Sequence, residues 1–180
     1  MRVVEIDKTS GLEVRALAHW PEPGDGAPTP LPGFVVSTFA PLVAAVAERC
    51  LRRYHQEPPV AAARGERTAI VLVSARGDVT SAVHVAHLVD SGGRVGPLLF
   101  FQSVPNAVAG YVAARWALAG PVVCTSPAGD GLADGLAAAA LLIADGDAGE
   151  ALVVVAEQGH GEGRSDRALA VLVGQPGTGN

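Results

Sequence analysis

Thr68-Ala-Ile-Val-Leu-Val-Ser74 is an unbroken apolar run rich in β-branched residues. A strand that alternates apolar and polar residues shows one face to water, whereas a strand apolar on both faces must be covered on both. This run therefore predicts a sheet lying between helices. Residues 151–156 repeat the pattern, and residues 121–125 form a shorter apolar strand. Helical segments alternate with them. Ser37 or Thr38 is placed to cap a helix over residues 39–54, where Leu42, Val43, Val46 and Cys50 recur at helical spacing. Asp78 or Thr80 opens a second helix, which runs to Asp90 and stops at Gly92-Gly93. Pro105 begins a third, through Leu118, and Asp130 caps a fourth that ends near Ala144. This alternation predicts the α/β class, with a mostly parallel five-stranded sheet and helices on both faces. Residues 2–6, 13–20 and 169–173 complete the strands, the last antiparallel or at an edge. Residues 21–33 and 56–66 read as loops, and residues 174–180 as a frayed tail.

Composition narrows the function classes. A chain of 180 residues fits one domain, residues 1–180, with room for a real core. The net charge of -5 and the absence of a basic run argue against nucleic-acid binding, which needs clustered Lys and Arg. Arg49, Arg52 and Arg53 form a local basic patch suited to an acidic protein partner. Met1-Arg-Val-Val-Glu-Ile lacks the basic-then-apolar pattern of a signal peptide, and no apolar stretch reaches the length of a membrane span. A cytoplasmic location is the expectation. There the two cysteines, Cys50 and Cys124, stay reduced. No Cys/His spacing predicts a metal site, and no GxGxxG or P-loop pattern predicts a nucleotide, so no cofactor is expected.

The segment Pro97-Leu-Leu-Phe-Phe-Gln-Ser-Val-Pro-Asn-Ala-Val-Ala-Gly110 leads into an Ala-rich helix. Gly120-Pro121, a short strand, a second Ala-rich helix and Gly146-Asp147-Ala148 follow. This order resembles the N-terminal half of a β-ketoacyl synthase, a condensing enzyme of the thiolase fold. The resemblance is good from residue 97 to residue 158. It is most similar to the ketosynthases and chain-length factors of bacterial type II polyketide systems. It implies half of a thiolase-like fold, and a nucleophilic cysteine at the start of the second Ala-rich helix. Laid without gaps between the two flanking motifs, that position falls on Gly129. The histidines that the family contributes from its other half have no counterpart here. The resemblance also implies that Phe100, Phe101, Gln102, Ser103, Pro105 and Asn106 lie close to an acyl site and a subunit interface.

Candidate residues follow from these readings. Asp130 fits a helix N-cap, and Asp134, in an almost wholly apolar helix, calls for a raised pKa or a buried partner unless it faces solvent. Cys124 lies in the strand before them, where core packing is the ordinary role and a replacement nucleophile the functional one. Ser126 stands at that strand's carboxyl end, where open α/β sheets bind ligands. Phe100 and Phe101 are candidates for an acyl tunnel wall or a partner-facing surface; read as adjacent strand residues they point opposite ways, which puts at least one in the core. Ser103, Asn106, Ser126 and Gly129 complete the expected substrate-contacting set. His84 and His87 share a helix face without a third ligand, and His160 sits in a Gly-rich turn. Cys50 reads as core.

Two functions remain. One is a non-condensing, chain-length-factor-like subunit that pairs with a ketosynthase-like chain, or with itself, and meets an acyl chain on an acyl carrier protein. The other is a small enzyme doing non-condensing chemistry, such as double-bond isomerisation, with Cys124, Ser126, Asp130, Asp134 or a histidine as acid, base or nucleophile. The helix over residues 131–144 is apolar all round, and half a fold covers one side, which predicts a partner chain on the other.

Overall fold

The computed structural model describes residues 11–159 and 165–176. The strand expected at residues 2–6, His160 and most of the tail lie outside them. The elements, in chain order, are β1 (Glu13–Trp20), α1 (Phe39–His55), α2 (Ala62–Gly65), β2 (Thr68–Val73), α3 (Val79–Asp90), α4 (Pro97–Gln102), α5 (Pro105–Trp116), β3 (Val122–Thr125), α6 (Gly131–Ala144), β4 (Glu150–Glu157) and β5 (Arg167–Gly174).

The five strands form one sheet in the order β1-β5-β4-β2-β3. β2 pairs in parallel with β3 and β4, while β5 runs antiparallel between β4 and β1. The α/β class and the helices on both faces are as expected. The mostly parallel sheet needs correction, because the insertion of β5 between β1 and β4 makes parallel and antiparallel pairings equal in number.

The unbroken apolar strands are explained by their two faces. Ile70, Leu72, Leu152, Val154 and Leu172 point to the side covered by α1 and α5. Val71, Val73, Val153, Val171 and Val173 point to the side covered in part by α6. All six residues of β2 are buried. Each fully buried Val or Leu stabilises the fold by about 1.5–3 kcal/mol, so the central strands carry the core.

Close approach of α6 depends on a glycine. A Cβ on Gly135 would lie 2.6 Å from Val153 Cγ1 and 3.0 Å from Val73 Cγ2. At the other end of the sheet, a Cβ on Gly120 would lie 2.5 Å from the carbonyl oxygen of Thr68. The Gly120-Pro121 step thus lets the chain pass directly against the start of β2 before entering β3.

Helix α1 is joined to α5 by one carboxylate. Glu48 accepts hydrogen bonds from Arg52 Nε at 2.9 Å, Arg115 Nε at 2.9 Å and Trp116 Nε1 at 2.7 Å. Burial pushes its pKa up, but the hydrogen bonds and charges of these partners outweigh burial and leave it below the ordinary value. At the start of α1, Ser37 Oγ accepts from Ala40 N at 2.8 Å, so of the two candidate caps Ser37 makes the bond.

Two short helices depart from expectation. α2 lies within the stretch read as a loop. α4 replaces the extended segment assumed for Phe100 and Phe101, and both rings are 71% exposed. Neither phenylalanine is in the core. In a six-residue helix, adjacent side chains stand about 100° apart rather than on opposite faces, and both fall on the outer side of α4.

Candidate functional site

The start of α6 is built from two carboxylates. Asp130 is the N-cap, and its Oδ1 accepts from the backbone N–H of Leu132 at 2.9 Å and of Ala133 at 3.0 Å. Asp134 reaches back from the first turn, and its Oδ2 accepts from Ala128 N at 2.7 Å and Gly129 N at 3.2 Å. Two loop donors and two donors of the first helical turn are thereby satisfied inside the chain. Asp134 is half-buried, and its partners are these backbone groups. A helix N-terminus attracts anions through its free N–H groups and its dipole. Here the chain's own carboxylates take that place. Gly129 itself is exposed, has nothing within 4 Å of a would-be Cβ, and offers no side chain.

A cleft of about 410 Å³ opens at the carboxyl ends of β2 and β3. Ser74, Asp78, Ser103, Cys124, Thr125 and Ser126 are among the residues that line it. Parallel strands create this opening because their following helices start on opposite sides of the sheet. Cys124 is half-buried rather than fully packed away, with its side chain against the core on one side and the cleft on the other. Burial raises the pKa of its thiol, so it is protonated at neutral pH. Asp78 is buried and already engaged, accepting from Ser81 N at 3.0 Å and Ser81 Oγ at 2.6 Å. His84 and His87 are exposed on α3 and do not line this cleft. Cys50 is fully buried in α1, and burial pushes its thiol up to about 12, as expected of a core residue.

The structure brings Cys124, Ser103 and Ser126 to one cleft. It places Asp130, Asp134 and Gly129 together at the α6 start, and Phe100, Phe101 and Asn106 exposed on α4 and the first turn of α5. Among the described residues no group of three His, Cys, Asp or Glu side chains is arranged to hold a metal ion. No helix is long and apolar enough to cross a membrane.

Two buried glutamines organise the cleft's surroundings, and the structural role of neither was anticipated from the sequence. Gln158, just past β4, accepts from Val79 N at 2.7 Å and donates to Thr38 Oγ1 at 2.5 Å and Thr80 Oγ1 at 2.9 Å. It ties the start of α3 to the start of α1. Gln102, at the end of α4, accepts from Val35 N at 2.7 Å and fixes the approach to α1. The available signal was an amide immediately after an apolar element, which has to find partners if buried.

Residues 36–163 match the family described as beta-ketoacyl synthase, N-terminal domain. The chain belongs to this family. The β-ketoacyl synthase fold is equally clear in solved structures. A ketosynthase in complex with its chain length factor from Xenorhabdus doucetiae superposes with a TM-score of 0.66 at 21% identity, covering 92% of this chain and 79% of that one. The ishigamide ketosynthase/chain length factor gives 0.68 at 19% identity, covering 88% and 50%. A beta-ketoacyl synthase from Burkholderia phymatum STM815 gives 0.69 at 17% identity, covering 91% and 52%. The chain thus spans about half the length of the last two. No curated protein matches it in sequence. Within this β-ketoacyl synthase frame, the strand-end cleft gathers Ser103, Cys124 and Ser126, and the α6 start gathers Gly129, Asp130 and Asp134.

Proposed function

We propose that this chain is a non-condensing, chain-length-factor-like subunit of a bacterial type II polyketide or fatty-acid system. One observation carries the reading. At the α6 start, Gly129 provides no nucleophile, and the carboxylate of Asp134 occupies the Gly129 N–H. Acyl transfer needs a nucleophile and donors aimed at a developing oxyanion. This helix start offers no nucleophile, its Gly129 N–H is already taken by a carboxylate, and it adds negative charge where negative charge would develop.

The remaining role is to shape a pocket and hold a partner. Leu98, Phe100 and Phe101 on α4, Val122 on the outer strand β3 and Leu141 on the far side of α6 are large apolar side chains left in water. Such surface is costly unless another chain covers it. A ketosynthase-like subunit is the partner proposed, with an acyl carrier protein delivering the acyl chain. Phe100, Phe101, Ser103, Asn106, Ser126 and Gly129 are the residues proposed to face that chain. The likeness to ketosynthase and chain length factor structures supports this choice of partner.

Cys124 at the strand-end cleft favours a second reading, a small enzyme doing non-condensing chemistry such as double-bond isomerisation on a carrier-bound chain. Asp130 and Asp134 would assist it as acid or base.

Native mass spectrometry of the protein purified gently from its host separates the two. The expected result is a complex with a ketosynthase-like chain. A protein that stays monomeric at micromolar concentration overturns the subunit reading. Turnover of an acyl carrier substrate that is lost in Cys124→Ala or Asp134→Asn would establish the second.

A further inference from the structure

We propose that the chain carries an anion-binding site at the amino-terminal ends of the parallel strands, formed by Arg15, Arg64 and Arg67. These three guanidinium-bearing side chains line a cleft of about 340 Å³ together with Ala63, Gly149 and Glu150. Thr68 and Glu150 open β2 and β4, whereas the cleft with Cys124 lies at the other ends of the same strands. Six strand residues separate the two by roughly 20 Å.

The charge balance of the site is uneven. Glu150 is 2% exposed, and its charge is consumed below the cleft. One carboxylate oxygen pairs with Arg15. The other accepts from Thr68 Oγ1 at 2.8 Å and lies 3.3 Å from His55 Nε2, a buried nitrogen that makes no hydrogen bond. Arg64 and Arg67 have no carboxylate partner among the described residues. Elsewhere Arg49, Arg52, Arg53 and Arg115 each hold one. In a chain of net charge -5, unpaired cations beside a neutralised carboxylate leave a local excess of positive charge.

The heads are positioned before any ligand arrives. The guanidinium carbon of Arg64 lies 5.5 Å from the Tyr54 ring centroid and that of Arg15 lies 5.8 Å from it, so both heads are held against one ring. The Arg67 carbonyl accepts from Gly149 N at 2.7 Å and Glu150 N at 3.2 Å, which pins its backbone to the turn before β4. Gly149 lies beside the Arg67 side chain, since a Cβ there would be in ordinary contact with Arg67 Nε at 3.4 Å. Guanidinium forks match phosphate oxygens in geometry and charge. The ligand class is a multiply charged oxyanion, either a free phosphate or the phosphoryl group of an organic ester.

Isothermal titration of the full chain with inorganic pyrophosphate at low ionic strength tests the site. Saturable binding is expected, weakened roughly tenfold or more in Arg64→Ala and again in Arg67→Ala, which corresponds to one charged hydrogen bond each. Arg94→Ala, at an exposed position outside the cleft, is expected to bind as the parent does. Both cleft arginines are exposed, so circular dichroism of the variants is expected to be unchanged. Binding of phenyl phosphate tighter than inorganic phosphate identifies the organic ester as the ligand, and equal binding identifies the free anion; either supports the site. No saturable binding of pyrophosphate, or a loss in Arg94→Ala as large as in the cleft variants, overturns it.

Discussion

Gly129 is the residue at which the chain parts from condensing chemistry, and its surroundings make the loss hard to reverse. Space is not the obstacle, since nothing lies within 4 Å of a Cβ placed there. Electrostatics is. Helix N-termini lower a cysteine pKa because free N–H groups and the dipole favour the thiolate, but here Asp130 and Asp134 hold the N–H groups of Gly129, Leu132 and Ala133. In a Cys124→Ser background, Gly129→Cys is therefore expected to fold normally and to alkylate with a midpoint at or above about 8.5, the ordinary thiol value. Adding Asp134→Asn should move that midpoint down by roughly one unit. The pH profile of iodoacetamide labelling reads both, and a midpoint near neutrality in the single variant would refute the argument. At this scale the sequence was partly legible. Asp130 could be recognised as a cap from its place before an apolar helix, and Cys50 as core from its spacing. The role of Asp134 could not, because its partners are backbone groups of the preceding loop, and loop geometry leaves no mark in residue type.

Elements with long, regular patterns were readable: α1, α5, α6 and the buried strands lie close to where spacing and caps put them. The short ones were not. α4 has six residues, too few to display a 3.6-residue period, and Pro-Leu-Leu-Phe-Phe reads equally well as a strand. α2 is shorter still. The place of β5 between β4 and β1 was hidden for a different reason, since strand order is set by contacts between distant segments. Element packing also carries a prediction. α6 rests on the sheet through Gly135, so Gly135→Ala would press a methyl group into Val153 and Val73. The better helix propensity of Ala returns up to about 1 kcal/mol, while overpacking costs about 1–3 kcal/mol. A net loss of about 1 kcal/mol is expected in urea unfolding, and a more stable variant would mean that α6 is less tightly seated than described.

For the whole molecule, the distribution of apolar surface matters more than its amount. Both faces of the sheet carry a buried cluster, yet α6 presents Leu141, 65% exposed, on the side away from the sheet, and α4 presents both phenylalanines. An exposed side chain replaced by a charged one normally changes monomer stability by no more than about 0.5 kcal/mol. Phe100→Asp and Leu141→Glu are therefore expected to leave the thermal midpoint almost unchanged while abolishing association in analytical ultracentrifugation. Variants that associate like the parent would place the partner elsewhere. Sequence reading anticipated the open side of α6 from its uniform apolarity, and for α4 it left a partner-facing role open for the two rings beside core filling, of which the exposed rings exclude the core.

The pairing of β1 with β5, from Glu13 opposite Gly174 to Trp20 opposite Ala168, bears on how the chain emerges from a ribosome. The first described strand finds its place only after the last has been made. At about 5–20 residues per second, it waits roughly ten seconds or longer. Until then β4 lacks its antiparallel neighbour. The nascent chain therefore passes through a stage in which β2, β3 and β4 are made while a hydrogen-bonding edge of β4 stays open, the period in which it most needs protection from other nascent chains.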